Sequence, residues 1–242
     1  MNRKVAVLFL VLLIAAVMPV CSGSKHLNGS KQSLGQGSIW SWTEHDVSGN
    51  LVRLGVTMTR GVLNGLPTSY EQVEAPLPEE TSTPPYVTAV VFWDPLGHGP
   101  EVYSVPHFDF MFYFLTSEEL GQISPGSDTM PVPARFRPPD YHAALTEPTV
   151  GTHWGDTLAA EFHGKPFTAT FVYGFHDGKM AFLEPMIASA FLGTEPSFSG
   201  AIEQPAAFEQ EGYYPTHYTV EYNRKDSTVT VALEGMTLRK PK

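Results

Sequence analysis

Residues 106–114 read Pro106-His107-Phe108-Asp109-Phe110-Met111-Phe112-Tyr113-Phe114. Successive side chains of a β-strand point to opposite faces, so Phe108, Phe110, Phe112 and Phe114 share one face. Four phenylalanines in line mark that face as core. The opposite face carries His107, Asp109, Met111 and Tyr113, each roughly 7 Å from the next along the strand.

The same strand-and-turn texture continues on both sides. Upstream, Tyr86 to Trp93 is a β-branched and aromatic run ended by Asp94-Pro95-Leu96-Gly97, a turn followed at once by His98. Further upstream, Ile39-Trp40-Ser41-Trp42, a polar turn at 46–50 and the alternating Val52, Leu54, Val56 and Met58 predict a β-hairpin whose tryptophans serve core packing. Residues 74–85 read as an exposed connector.

Downstream, Glu118 to Ile123 suits one short helix, and Pro125 to Pro148 reads as a proline-punctuated loop, the kind used for function or as an interface arm. Homo-oligomer formation is therefore left open. Phe167–Phe175 and Met180–Met186 flank an Asp177-Gly178 pair suited to a two-residue hairpin turn. A regular register then sets His176 opposite Lys179, Tyr173 opposite Phe182 and Phe171 opposite Glu184. A last hairpin joins His217–Tyr222 to Thr228–Leu233. With 21 prolines and 21 glycines among short strands, the fold class is mainly β, or α+β with few short helices. Its antiparallel hairpins form a sandwich- or barrel-like core.

The ends of the chain set the expected compartment. Arg3 and Lys4 precede an apolar run from Val5 to Val20, and Ser22-Gly23-Ser24 follows, the pattern of a secretory signal peptide over residues 1–21. About sixteen apolar residues fall short of the roughly twenty that a membrane helix needs, so the mature chain is expected to have no transmembrane span. Extracytoplasmic localisation, secreted or periplasmic, follows. Cys21 closes the apolar run, where a lipoprotein signal places its acylated residue, so lipid anchoring through Cys21 is the alternative.

Residues 22–37 are nearly devoid of apolar side chains and read as a flexible tether, leaving residues 38–242 as a single β-rich domain. As the only cysteine, Cys21 leaves that domain neither a disulfide nor a thiol nucleophile. The 15 basic residues face 25 acidic ones, a formal net charge of -10, and loss of Arg3 and Lys4 with the leader makes the balance more negative. Such a field repels phosphate backbones and excludes nucleic acid as a partner.

The polar face opposite the phenylalanines is where chemistry is expected. His107, Asp109 and Tyr113 stand in a row on a well-anchored strand, His98 follows a nearby turn, His153 lies in Gly151-Thr152-His153-Trp154, and Glu184 sits mid-strand, where an unpaired buried carboxylate is costly. Imidazoles and carboxylates from separate strands are the usual ligand set for zinc, manganese or iron. The expected pocket is therefore His107, Asp109, Tyr113, His153 and Glu184, for a small-molecule ligand or a divalent metal. The metal ligands would be drawn from His98, His107, His153 and Glu184, with Glu184 or His107 as a general base in an enzyme. In the alternative, the same residues form a buried hydrogen-bond network in a structural or assembly protein of the envelope.

Five segments, Asp94-Pro95-Leu96-Gly97-His98, His107-Phe108-Asp109-Phe110-Met111-Phe112-Tyr113, Gly151-Thr152-His153-Trp154, Tyr173-Gly174-Phe175-His176-Asp177-Gly178-Lys179 and Phe182-Leu183-Glu184-Pro185-Met186, together resemble the successive signatures of a family of uncharacterised exported bacterial proteins. The resemblance covers about residues 38–235 and implies no reaction, because the family is one of unknown function. It implies a histidine at the position of Met111. A methionine there is a poor ligand for hard or borderline divalent metals. The site has then lost a ligand, or uses donors among His98, His107, His153 and Glu184, or the family holds no metal.

No nucleophile elbow, phosphate-binding loop, dinucleotide fingerprint or His-Glu-x-x-His motif occurs, so serine-hydrolase, nucleotide and zincin readings lack support. His142, His163, His176 and His217 read as solvated.

Overall fold

The structure is a computed structural model that describes residues 23–79, 83–124 and 126–242. The expected leader and Cys21 lie outside the described residues. In chain order the strands are β1 (Lys25–Asn28), β2 (Gln32–Leu34), β3 (Gly37–His45), β4 (Leu51–Thr59), β5 (Glu71–Ala75), β6 (Thr88–Asp94), β7 (His107–Tyr113), β8 (Tyr141–Glu147), β9 (Gly151–Asp156), β10 (Ala169–His176), β11 (Lys179–Ala188), β12 (Ser197–Ala201), β13 (Gly212–Tyr214), β14 (His217–Asn223), β15 (Thr228–Glu234) and β16 (Thr237–Arg239). Among the described residues there are also two single-turn α-helices, α1 (Ser117–Leu120) and α2 (Ser189–Leu192), and four short 3-10 turns.

The expected mainly-β class holds, with the sheets in a sandwich-like arrangement and no closed barrel among the described residues. One sheet runs β1-β3-β4-β15-β14-β12, with β2 also paired to β3. The other runs β5-β6-β7-β11-β10-β9-β8, and β13 pairs with β16 apart from both. Every strand pairing among the described residues is antiparallel, as short hairpin connections require.

Phe108, Phe110 and Phe112 do share the inner face of β7, and with Phe114 just beyond its end they join one core cluster with Leu54, Val56, Met58, Val231 and Leu233 of the facing sheet. Burying each such ring contributes roughly 2 kcal/mol. That anchoring fixes the strand, and with it the row of side chains on its other face.

Three expectations change. The segment read as a tether instead forms β1 and β2, both paired to β3. Its few side chains find partners on the outer face of the sheet: the His26 ring stacks on Trp42 at 5.0 Å and Lys31 Nζ lies 4.4 Å from the centre of the Trp40 ring. Composition predicted disorder because the covering groups are polar, yet imidazole and ammonium stems shield aromatic faces well. Those tryptophans accordingly pack outside the inter-sheet core. Likewise the stretch 125–148 is a loop only in its first part, because proline-free Tyr141–Glu147 makes β8 at the sheet edge beside β9.

The third change is one of register. Asp177 and Gly178 form the tip with positive φ angles of 48° and 79°, and His176 opposes Lys179 as expected. Beyond Phe175↔Met180 the next pair is Gly174↔Phe182, so Ala181 is an extra, bulged residue. Tyr173 therefore faces Leu183 rather than Phe182, and Glu184 faces Val172 rather than Phe171.

The outer face of the second sheet is buried as well. Leu120, Ile123 and Val150 from the connections cover Val90, Phe92, Met111 and Tyr113, while Tyr103 and Phe167 cover Val172, Met186 and Ala188. The polar row on the other face of β7 is thus enclosed between two small apolar clusters.

Candidate metal centre

Each polar residue of the outer face is placed by a specific local device. His107 opens β7, where its Nδ1–H donates to the carbonyl oxygen of Val105 at 2.7 Å. That bond leaves Nε2 without a hydrogen in the neutral ring, directed at Asp109 Oδ1, 3.2 Å away on the same strand face. His98 arrives from the turn after β6. Asp94 Oδ1 accepts from the N–H groups of Leu96 (3.0 Å) and Gly97 (2.9 Å), and Gly97 adopts a φ of +70° where a Cβ would collide with the carbonyl of Tyr103. The His98 Nδ1–H donates to the Gly99 carbonyl at 2.9 Å, and its Nε2 lies 3.7 Å from Asp109 Oδ2.

Two imidazoles thus give their Nδ1–H groups to backbone carbonyls and turn their Nε2 atoms to the two oxygens of one carboxylate. The ligand atoms of His98, His107 and Asp109 all lie within 4.8 Å of one another, and this triad could hold a metal ion. His107 Nε2 and Asp109 Oδ1 are buried and make no directed hydrogen bond. Such orphaned atoms are costly unless something satisfies them, and a cation between them does so.

His153 and Glu184 stand beside the triad as a separate pair, with His153 Nε2 3.3 Å from Glu184 Oε2. His153, on β9 opposite Gly174, is held by the edge of the Phe182 ring at 5.2 Å. The His98 and His153 rings are 6.3 Å apart between centres, against 4.7 Å for His98 and His107, and His153 and Glu184 fall outside the group of three. Of the ligand set expected from sequence, the structure groups His98 and His107 with Asp109, and the His153–Glu184 pair adjoins them.

Tyr113 also stands apart from the triad. It is buried, and its hydroxyl donates to Met111 Sδ at 2.8 Å. Met111 is packed with Val90 and Phe92, so the thioether serves the small apolar cluster.

The charges follow from these contacts. Burial works against ionisation of Asp109, but contact with His107 and then His98 overrides it and holds the carboxyl well below its ordinary value. Burial likewise opposes a charged His98, yet Asp109 lifts the ring to about 9, and His107 is raised for the same reason. His153 is pushed down to about 4 by burial. Burial, followed by repulsion from Asp109 and Glu147, raises Glu184 well above its ordinary value.

A cavity of about 510 Å³ opens beside the centre, lined by His98 and His153 together with Tyr103, Glu147, Phe162, Val172 and Met186. Glu147 and Tyr103 were not read from the sequence as site residues. Glu147 closes a strand within what read as a loop, and Tyr103 lies in a short 3-10 turn, Glu101–Tyr103, with no motif around it. His142, read as solvated, is exposed but borders this cavity.

No family model, curated protein or solved structure matches the chain. The donor set itself therefore carries the functional reading.

Proposed function

We propose that the protein binds a divalent metal through His98, His107 and Asp109, and presents it to a small molecule entering the adjoining cavity. One observation carries this reading: both histidines commit Nδ1–H to backbone carbonyls and aim Nε2 at the same carboxylate. Backbone carbonyls in that role fix the ring orientation of metal-bound histidines generally. Two nitrogens and a carboxylate suit zinc, iron or manganese, and three protein ligands leave a coordination position for water or ligand, as in catalytic rather than structural centres.

A purely structural network fits less well. Such a network would satisfy its members, whereas His107 Nε2, Asp109 Oδ1 and both Glu184 oxygens lack hydrogen-bond partners. The leader-like sequence at residues 1–21 supports action outside the cytoplasm. The resemblance to exported bacterial proteins supports the same compartment.

Elemental analysis of the purified protein tests the reading. About one equivalent of zinc, manganese or iron per chain is expected, lost in the His107→Ala, Asp109→Ala double variant. Failure of the metal-free protein to take up any of the three ions overturns it.

A further inference from the structure

The chemistry of the cavity walls narrows what could reach the centre. On one side stand Tyr103, Phe162, Val172, Met186, Ala143 and Ala144. The rings among these form a chain that reaches the metal ligands: Phe162 meets Tyr103 edge-on at 5.7 Å, Tyr103 meets Phe167 at 4.9 Å, and Phe167 meets His107 at 5.8 Å. Phe162 is itself partly exposed, so apolar surface begins at the edge of the cavity and continues inward.

The polar end has a different character. Its polar side chains are His98, His142, His153, Glu147 and Thr157, and no lysine or arginine lines the cavity among the described residues. Behind this end lie Asp109 and Glu184, both buried. The cavity therefore offers none of the guanidinium or ammonium donors that recognise phosphate, sulfate or a free carboxylate. Dense hydroxyl-binding polar groups, which a sugar would need, are also missing from the apolar wall. A volume of about 510 Å³ lies within the usual span for small-molecule sites.

We propose that the cavity takes a small uncharged molecule with an apolar, ring-sized body and one polar head, the body lying against Tyr103, Phe162, Val172 and Met186 and the head reaching the His98–His107–Asp109 centre. This inference rests on the metal reading above and adds the class of ligand. The His153–Glu184 pair, whose carboxyl oxygens have no hydrogen-bond partner, stands at the same end as the head.

The test uses two hydroxamic acids, both neutral in solution at pH 7, that present the same metal-binding head, which releases its proton to solvent on coordination, and differ only in the body. Benzohydroxamic and acetohydroxamic acid are titrated calorimetrically into the zinc-loaded full chain at pH 7, with inorganic phosphate as a third probe. Benzohydroxamic acid is expected to bind at least about tenfold more tightly than acetohydroxamic acid, from burial of the phenyl ring, and phosphate more weakly than either. In Phe162→Ser, a change at the edge of the cavity, zinc content is expected to stay and the ratio to shrink to about threefold. Equal affinities for the two hydroxamic acids, or phosphate binding as tightly as benzohydroxamic acid, overturn the proposal while leaving the metal reading intact. Absence of zinc uptake instead removes the metal reading on which the proposal stands.

Discussion

The Nε2 atom of His107 lies 3.2 Å from Oδ1 of Asp109 two residues along the same strand, and the ring is held in that attitude by its Nδ1–H bond to the Val105 carbonyl. Two acceptor atoms so placed repel one another unless a proton or a cation lies between them. Asp109→Asn keeps the shape of the side chain and removes the negative charge. Its zinc affinity, measured by competition with a chromophoric chelator, is expected to fall by at least about 100-fold. A fall of less than threefold would show that the carboxylate is no ligand.

Without metal, the centre makes stability depend on alkaline pH. The folded pKa of His98 is about 9 against an ordinary 6.5, so its contribution is complete below pH 6.5 and is lost as pH rises through about 9. His107 acts with the same sign. The loss attributable to His98 is of the order of 2 kcal/mol, taking its partial exposure into account. Urea unfolding in the presence of a chelator at pH 6, 7.5 and 9 should show this decline, and His98→Gln should flatten it. An equally steep decline in the variant would place its cause elsewhere.

His153 works in the opposite direction. Its folded pKa of about 4 lies below 6.5, so the unfolded chain binds the extra proton and stability falls as pH drops from 6.5 towards 4. His153→Phe should therefore be less acid-sensitive than the parent between pH 6.5 and 4.5, read as the change in urea midpoint. Parallel profiles for the two proteins would contradict a neutral buried imidazole.

Glu184 supplies a third pH signature. Its folded pKa lies well above the ordinary 4.5, so it binds a proton that the unfolded state gives up, and it lowers stability progressively as pH rises above 4.5. Glu184→Gln removes that dependence. Relative to the parent, the variant's stability is expected to increase from pH 5 to pH 8, by about 1–3 kcal/mol. A variant no better at pH 8 than at pH 5 would show that the carboxyl is stabilised in its charged form.

Gly174 sits under the Phe182 ring, where a Cβ would collide with the ring edge. Phe182 in turn braces His153 and packs against Tyr113 at 5.3 Å. Gly174→Ala is expected to cost about 2–3 kcal/mol of stability and to weaken zinc binding only modestly, since no ligand of the triad touches the ring directly. Unchanged thermal unfolding in Gly174→Ala would show that the strand pair adjusts freely there.

The alternation of 107–114 made both the sheet and its two faces readable, because four phenylalanines at period two admit only one inner face. Asp109 was legible as a site residue but not as the shared partner of both histidines, since that depends on the angle at which His98 returns from the Asp94 turn. The exclusion of His153 and Glu184 from the triad was hidden for a similar reason: strand order and separation are properties of pairing between distant segments. Burial of the polar row could not be read from β7 itself, as the covering residues Leu120, Ile123, Tyr103 and Phe167 lie in connections without periodicity. The strands at residues 25–34 were missed because composition understates what a histidine and a lysine gain over tryptophan faces.

The extra residue at Ala181 has a consequence for how the site is encoded. Met180 and Leu183 both face the inter-sheet core although they are three apart, while Ala181 and Phe182 both face outward. Without that bulge, a regular alternation running on from Met180 would turn every side chain from 182 to 188 to the other face: Glu184 would enter the apolar interior and Leu183 would take its place beside His153. The identity of the acid is thus only half of the instruction. The other half is the bulge, which lets Ala181 and Phe182 share one position of the alternation, so a change that smoothed the strand while keeping every residue would take the carboxyl away from His153.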